Sequence, residues 1–335
     1  MEDGKHPGAQ GQHESNSFAA LGSNDLMQNS GSRKVQHTGL RAKRLASLFC
    51  APLVLLLTLS AVFVASASAQ TNGPWERIVM VGASVSAGFT ESEPLGGPST
   101  RQFRLSRYVD AALLVPHEPV QNLANTFFFI TPELMGRQQI DQALKAKPTL
   151  VLGVDFLFWF CYGEGATDEE RLQRFEMGLK MLEAVKCPLV LGDIPDASAA
   201  VNGMLRPDQI PTTNAMAAAN QRLSKWAATR PNVAILRLSQ FMRTVQANQA
   251  LTIHAYNLPE GKTRILLQAD KLHPSLPGCA LVALATLDVL HSKQKFPAAD
   301  VCWDPKENLR VVLKSLQAGT NSSSKPTEPP EPPQK

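Results

Sequence analysis

The chain lacks paired cysteines, a strong excess of charge and a high aromatic content. None of its five cysteines belongs to a Cys-x-x-Cys pair, which argues against a zinc or thioredoxin-like site. Aromatic residues make up 6% of the sequence, and the formal net charge of +4 falls to +2 without the six basic and four acidic residues of 1–69. A nearly neutral body without a basic stripe gives no argument for nucleic-acid binding. No residues have the spacing of a metal site, and no cofactor is predicted.

The first 69 residues have the pattern of an export signal. A polar stretch over 1–38, predicted to be disordered, leads to a basic cluster at 41–44, an apolar run at 45–64 and Ala67-Ser68-Ala69. These are the parts of a secretory signal peptide with cleavage after Ala69. The alternative is an uncleaved anchor, since the run is nearly long enough to span a bilayer. Both interpretations predict an exported protein, periplasmic or secreted, and only the uncleaved form would contact the membrane, through residues 45–64. Export would permit disulfides among four cysteines, in a pairing that the sequence leaves open: Cys161, Cys187, Cys279 and Cys302.

Short apolar segments alternate with helical patterns from residue 77 onward. Strands are predicted at 77–81, 120–123, 149–160, 188–191 and 233–236, with a further short strand or hairpin at 264–268. Helices are predicted at 103–114, 132–145, 167–185, 213–230, 240–247, 274–291 and 309–316. This alternation predicts an α/β fold in three layers, α/β/α, with a flavodoxin-like parallel sheet of about five strands. We therefore expect one domain over 72–317 and a disordered Pro-rich tail over 318–335.

A serine lies where the first predicted strand ends. The strand runs into Gly82-Ala83-Ser84, and Gly88 follows four residues later. Small residues on either side of a serine let the chain turn sharply, which holds the hydroxyl at the carboxyl edge of the sheet. This predicts Ser84 as a nucleophile. The alternative is a plain strand-to-helix turn in which Ser84 caps the helix.

An acid and a histidine lie three residues apart before the last long helix. Asp270 and His273 precede Pro274, which begins that helix. The carboxylate can accept the imidazole Nδ1–H, leaving Nε2 free to take a proton from a serine hydroxyl. Alone, an Asp-x-x-His is more often a pair of surface residues without a catalytic role. Together with Ser84 it predicts a catalytic triad.

These two blocks resemble those of the SGNH/GDSL-type hydrolases, a family of esterases, lipases and carbohydrate deacetylases. The family's first block is Gly-Asp-Ser-x-x-x-Gly, and this chain has Gly82-Ala83-Ser84-Val85-Ser86-Ala87-Gly88. Its last block, Asp-x-x-His, matches Asp270-Lys271-Leu272-His273. The resemblance covers about residues 77–291. It implies that Ser84 is the nucleophile, His273 the general base and Asp270 the residue that orients the imidazole.

The family's middle blocks, which supply donors to an oxyanion hole, are altered in this chain. The second block corresponds to 122–125, so the resemblance assigns the donors to the Ala124 amide and to Asn125. The third block, Gly-x-Asn-Asp in the family, reads Gly153-Val154-Asp155-Phe156 here. Asp155 therefore replaces an amide donor with a carboxylate, and the loss of one such donor costs about 2.7–4 kcal/mol of barrier. Asp155 could be protonated through desolvation, or it could turn away and pair with a cation.

The sequence predicts an exported serine hydrolase that cleaves a carboxylic ester through an acyl-enzyme on Ser84. The expected partner is a small-molecule, carbohydrate or lipid ester, and the aromatic residues of 156–160 could line an acyl pocket, although such residues are more often core. Two alternatives stay open. One is a non-catalytic envelope or carbohydrate-binding protein, which the changes at Ala83 and Asp155 favour. The other is an O-acyltransferase that passes the acyl group to a sugar rather than to water.

Overall fold

The computed structural model describes residues 73–164 and 167–322. The predicted export signal, its alternative as an anchor and most of the predicted tail lie outside these residues. Within them, no helix combines the length and the apolarity needed to cross a membrane. The last helix runs from Pro305 to Ser322, so the first residues of the predicted tail belong to it.

Five parallel strands form the central sheet, in the order β2-β1-β3-β4-β5. Their bounds are β1 Ile78–Met80, β2 Gln121–Asn122, β3 Leu150–Gly153, β4 Leu189–Gly192 and β5 Val233–Leu236. This is the flavodoxin-like strand order, so the predicted fold class is confirmed. An antiparallel hairpin of β6 Leu251–Ile253 and β7 Tyr256–Leu258 stands apart from the sheet.

Ten α-helices accompany these strands in the part of the chain that the structure describes. Four of them are shorter: α1 Ser84–Ala87 follows β1, α5 Phe158–Cys161 follows β3, and α2 Thr100–Phe103 leads into α3 Leu105–Ala112, which packs on one face of the sheet. Longer ones cover its faces: α4 Pro132–Lys145, α6 Asp168–Leu182, α7 Thr213–Ala228, α8 Leu238–Gln246, α9 Leu276–Gln294 and α10 Pro305–Ser322.

Alternate residues of each strand face opposite helical layers, which produces the three layers. Val79 and Val151 pack into a core with α4, α6 and α7. Ile78 and Leu150 point the other way, into a core with α3, α9 and α10. Because both faces are covered, β1, β3, β4 and β5 carry no polar side chain at any position, whereas β2 at the edge of the sheet consists of Gln121 and Asn122.

Two segments differ from the sequence prediction. Residues 149–160 are not one strand, because β3 ends at Gly153 and the chain turns into α5. A buried helical turn is as apolar as a buried strand, so composition does not separate them. Residues 264–268 contain a 3-10 helix, Arg264–Leu266, and the hairpin lies earlier, at β6 and β7. The four cysteines of the described domain are unpaired: Cys161, Cys187, Cys279 and Cys302.

Candidate active site

Ser84 begins α1, directly after the turn that leaves β1. The turn needs glycine at Gly82, whose φ is +146° and where a Cβ would overlap Asp155 Oδ1. The helix ends after one turn at Gly88, in the left-handed region at φ +88°. A short helix closed by a glycine leaves the Ser84 side chain half-buried at the carboxyl edge of the sheet.

Ser84, His273 and Asp270 form a continuous hydrogen-bonded chain. His273 Nε2 lies 2.8 Å from Ser84 Oγ, and His273 Nδ1 lies 2.7 Å from Asp270 Oδ2. The His273 ring also packs on Phe89, with ring centroids 4.2 Å apart. A neutral imidazole that donates from Nδ1 to the carboxylate presents a basic Nε2 to the hydroxyl, which is the arrangement that activates a serine.

The Asp270 carboxylate is buried but well supplied with donors. Its Oδ1 accepts the amides of Leu272 and His273, both at 2.9 Å, while Oδ2 faces the imidazole. Burial alone would raise the pKa of Asp270. The hydrogen bond and the charge of His273, with the two amides, outweigh burial and hold this pKa below its usual value. Asp270 is therefore ionised at neutral pH.

Two glutamines that the sequence analysis missed hold the loops that carry Ser84 and His273. Gln139 is buried in α4 and accepts from the Gly82 amide at 2.7 Å while donating to its carbonyl at 2.9 Å. Gln268 donates to the carbonyls of Phe89 and Pro274 and accepts from the amide of Glu91. Gln268 thus joins the segment after Ser84 to the loop that carries His273. Both glutamines act on residues that are distant along the chain, so no local sequence motif indicates their roles.

The Asp155 carboxylate points toward the turn that carries Ser84. Its Oδ1 accepts from the Ala83 amide at 3.0 Å and from Ser86 Oγ at 2.6 Å. Its Oδ2 accepts from the amides of Val85 at 2.8 Å and of Ser86 at 3.3 Å. Four donors around a buried carboxylate cap the start of α1, where Ala83 has no side chain that could do so.

The direction of the pKa shift of Asp155 agrees with the expected effect of desolvation, whereas the side chain turns toward hydrogen-bond donors and not toward the expected cation. Burial raises its pKa, and the hydrogen bonds from Ser86, Ala83 and Val85 oppose that rise without cancelling it. All its contacts are donors, so the carboxylate form fits the site, and within the described residues no cation pairs with it. Asp155 is a cap for the turn that carries Ser84 rather than a lost oxyanion donor.

The other candidate donors to an oxyanion differ in whether they already donate a hydrogen bond. The Ala124 amide donates to Asn122 Oδ1 at 2.9 Å, so it is occupied, contrary to the prediction. Gly153 belongs to β3, and a Cβ there would press on Leu191, which gives it a packing role. Among the residues that the structure describes, the Ser84 amide and Asn125 Nδ2 donate to no group, which leaves both available to an oxyanion.

Two cavities flank the Ser84 turn. The first is apolar, holds about 60 Å³ and is lined by Ser84, Val154, Phe158, Phe241, Met242 and Leu272. Of the aromatic residues at 156–160, only Phe158 lines it, while Phe156 and Phe160 are core. The second is an open polar cleft of about 610 Å³ on the side of Asn125. Within residues 73–164 and 167–322, no cluster of His, Cys, Asp or Glu could hold a metal ion.

Comparisons with known proteins give matches among solved structures alone. No protein-family model and no curated protein matches the sequence. A lipase/acylhydrolase from Enterococcus faecalis is 18% identical over 65% of this chain and 96% of its own, with a TM-score of 0.45. A GDSL-like lipase from Bacteroides thetaiotaomicron is 12% identical over 66% and 88%, with a TM-score of 0.41. The catalytic domain of a Streptococcus pneumoniae peptidoglycan O-acetyltransferase is 14% identical over 69% and 100%, with a TM-score of 0.40. The solved structures similar to this chain thus include GDSL-type lipases and acylhydrolases at low sequence identity.

Proposed function

We propose that the protein is a serine hydrolase that cleaves carboxylic esters with short acyl groups. The observation that carries the proposal is the hydrogen-bonded chain from Ser84 Oγ through His273 to Asp270, at 2.8 and 2.7 Å. A scaffold kept only for binding has no need of a buried acid that aligns an imidazole on a hydroxyl. The geometry therefore favours a catalyst over a non-catalytic binding protein.

Catalysis would proceed in two acyl transfers. Ser84 Oγ attacks the ester carbonyl while His273 Nε2 takes its proton, and the imidazolium then gives that proton to the departing alcohol as the C–O bond breaks. The acid remains bound to Ser84 as an ester. Water, deprotonated by the same His273 nitrogen, attacks this ester and releases the acid, which restores the Ser84 hydroxyl. Asp270 stays ionised throughout and stabilises the imidazolium.

The negative charge on the carbonyl oxygen would be held by two donors. The Ser84 amide and Asn125 Nδ2 are both free among the described residues, whereas Ala124 is occupied by Asn122. Removal of one such donor costs about 2.7–4 kcal/mol of barrier. A hole of two donors therefore suffices for a large part of the rate enhancement without the asparagine that Asp155 replaces.

The apolar cavity limits the size of the acyl group. One water occupies about 10–15 Å³ on the measure that gives this cavity its volume. A cavity of 60 Å³ thus has room for about four to six non-hydrogen atoms. Its lining by Val154, Phe241 and Met242 favours hydrocarbon. We therefore propose acetyl to butyryl esters as substrates.

The test is hydrolysis of p-nitrophenyl acetate by the wild type and by Ser84→Ala. We expect at least a thousandfold loss of kcat/KM in the variant, since the nucleophile is removed. Ser292→Ala, which changes an exposed serine near the end of α9, is the matched control and keeps full activity. Labelling by a phosphonate ester, followed by mass spectrometry, should place one adduct on Ser84. Equal rates in wild type and Ser84→Ala would overturn the proposal.

A second candidate is acyl transfer to an alcohol other than water. The open polar cleft beside Asn125 favours it, because 610 Å³ accommodates an acceptor such as a sugar. Addition of a sugar alcohol to the p-nitrophenyl acetate assay separates the two functions. A transferase yields the acetylated sugar as the main product, whereas a hydrolase yields acetate alone.

Export is a separate proposal that rests on the N-terminal pattern. A basic cluster, an apolar run and Ala67-Ser68-Ala69 favour secretion with cleavage after Ala69. N-terminal sequencing of the mature protein from an exporting host tests it. A start at Gln70 supports cleavage, retention of residues 45–64 in the membrane fraction supports the anchor, and recovery of the full chain from the cytoplasm contradicts export.

A further inference from the structure

The polar cleft on the Asn125 side of the turn contains two arginines that have no partner among the described residues. Arg101 belongs to α2, and Arg104 connects α2 to α3. Both side chains are exposed and line the cleft together with Asn122 and Asn125. In residues 73–164 and 167–322, neither guanidinium donates a hydrogen bond or forms an ion pair, so both are free to bind an anion.

The cleft is fixed to the candidate active site through shared residues. Asn122 Nδ2 donates to the Ser86 carbonyl at 2.9 Å, and the Asn125 amide donates to the Gly82 carbonyl at 3.1 Å. On the opposite wall, a Cβ at Gly88 would touch the Arg104 amide at 2.5 Å, so α2 lies directly against the end of α1. The two arginines are therefore held beside the same short helix that presents Ser84.

Glu93, an acidic residue of the loop that precedes α2, accepts hydrogen bonds from that loop's own backbone. Glu93 Oε2 accepts from the amides of Ser99 and Thr100, at 2.7 and 3.1 Å, which holds the loop that precedes α2. It forms no ion pair with Arg101 or Arg104 within the described chain. Neither guanidinium group is therefore paired with Glu93, and both can bind an anion in the cleft.

We infer that this cleft binds an anionic group, a carboxylate or a phosphate, on the alcohol part of the ester. The inference rests on the proposed function, because the acyl group is assigned to the apolar cavity and the rest of the substrate to the cleft. Guanidinium groups bind carboxylate and phosphate through paired N–H donors, and such charge-assisted bonds are stronger than neutral ones. The preferred substrates are then short-chain esters of acidic alcohols, such as acetylated uronic acids or sugar phosphates.

A set of aryl acetates tests this directly. The probes are 4-acetoxybenzoate, 4-acetoxyphenyl phosphate and the uncharged methyl 4-acetoxybenzoate, each normalised to its own hydroxide-catalysed rate. We expect kcat/KM of the two anions to exceed that of the neutral ester by about tenfold or more, mainly through KM. This preference falls as NaCl rises from about 50 to about 500 mM, because salt screens exposed charges. Which anion is faster distinguishes carboxylate from phosphate.

Arg101→Ala/Arg104→Ala should abolish the preference and leave the rate with the methyl ester unchanged. Arg107→Ala is the matched control, since Arg107 lies one turn further along α3 and lines a different groove beside His117. Arg101→Lys/Arg104→Lys should restore part of the preference. Calorimetry of Ser84→Ala with 4-acetoxybenzoate measures binding without turnover, and the two Arg→Ala changes on this background should weaken it about tenfold or more.

The two proposals fail in different ways. No preference for anions in the wild type, or equal losses for charged and neutral esters in the double variant, overturns the cleft assignment while leaving ester hydrolysis intact. Full activity in Ser84→Ala overturns the hydrolase instead, whatever the calorimetry shows.

Discussion

Asp155 lies two residues after β3, yet its carboxylate serves the turn that follows β1. Three amides and the Ser86 hydroxyl converge on it, so the charge stabilises the first turn of α1. Two roles for this residue make opposite predictions. A lost oxyanion donor would be restored by asparagine, whereas a cap would be broken by it.

We expect Asp155→Asn to lower both stability and activity. The new amide nitrogen cannot accept from Val85 or Ser86, so buried donors lose their partner, at about 1–3 kcal/mol. Urea unfolding and p-nitrophenyl acetate hydrolysis measure the two effects. Ser86→Ala removes one hydrogen bond and leaves the amide contacts, so its effect should be smaller. A rise in kcat in Asp155→Asn would contradict the capping role.

Asp270 predicts a pH dependence of stability. Its pKa in the folded protein lies below the usual 3.8, so its stabilisation is complete above that value and is lost as pH falls through the folded pKa. The difference in unfolding free energy between wild type and Asp270→Asn should therefore be largest near neutral pH and shrink below about pH 4. Urea unfolding at several pH values measures it, with the exposed Asp141→Asn as background. A difference independent of pH would contradict the assignment.

Local motifs marked the three residues that the structure joins by hydrogen bonds, Ser84, Asp270 and His273, but not the residues that hold their loops. Ser84 is marked by Gly82 and Ala83 before it and Gly88 after it, and Asp270 and His273 by their spacing before a proline. Asp155 and Gln139 act on a turn 57–72 residues away in the chain, and nothing in their own neighbourhood indicates it. Their roles depend on the parallel pairing of β1 with β3, which only the folded sheet provides.

At the scale of elements, the contact between α1 and α2 depends on Gly88. Its φ is +88°, and a Cβ would press on the backbone of Thr100, Phe103 and Arg104. Gly261 has a similar φ of +83°, but a Cβ there would meet nothing within 4 Å among the described residues. A comparison of substitutions at Gly88 and Gly261 therefore distinguishes the cost of backbone strain from the cost of steric contact.

Gly88→Ala should destabilise the protein more than Gly261→Ala does. Both carry the strain of a positive φ, about 1–3 kcal/mol at most, but only Gly88→Ala also pushes α2 away from α1. Thermal unfolding compares the two, and hydrolysis of p-nitrophenyl acetate should fall only in Gly88→Ala. Equal changes in melting temperature would show that the contact with α2 contributes nothing.

Secondary structure was predicted well where the spacing of apolar residues distinguishes a helix from a strand, and poorly where every residue of a segment is buried. α4 was predicted at 132–145 and is found at Pro132–Lys145, since its apolar residues recur at helical spacing. Residues 149–160 lie between two helical layers, so both β3 and α5 are apolar throughout. Their boundary at Gly153 follows from tertiary packing, which no pattern of hydrophobicity encodes.

At the scale of the whole molecule, the fold class followed from alternation and the handedness of crossovers, while the cavities did not. Side chains from the segment that follows β3, from α8 and from the His273 loop enclose the apolar space, and they are distant in sequence. In the proposed function, the size of that space limits the acyl group that the enzyme accepts.

We expect kcat/KM to be higher for p-nitrophenyl acetate and butyrate than for the octanoate by about tenfold or more, because the longer chain overfills the cavity. Phe241→Ala enlarges the cavity and should raise the relative rate of the octanoate. Phe129→Ala, which truncates an exposed ring outside the cavity, should leave the order unchanged. Faster turnover of the octanoate by the wild type would contradict the assigned acyl site.

Because a residue that follows β3 caps α1, the effects of substitutions at residues 83 and 155 should depend on each other. The SGNH/GDSL-type blocks that this sequence resembles have an acid beside the serine and an asparagine in the third block, whereas this chain has Ala83 and Asp155 at those places. Changing Ala83 alone would crowd two carboxylates around one turn, and changing Asp155 alone would leave none. We therefore expect Ala83→Asp to lower the rate of p-nitrophenyl acetate hydrolysis by itself and to be better tolerated together with Asp155→Asn.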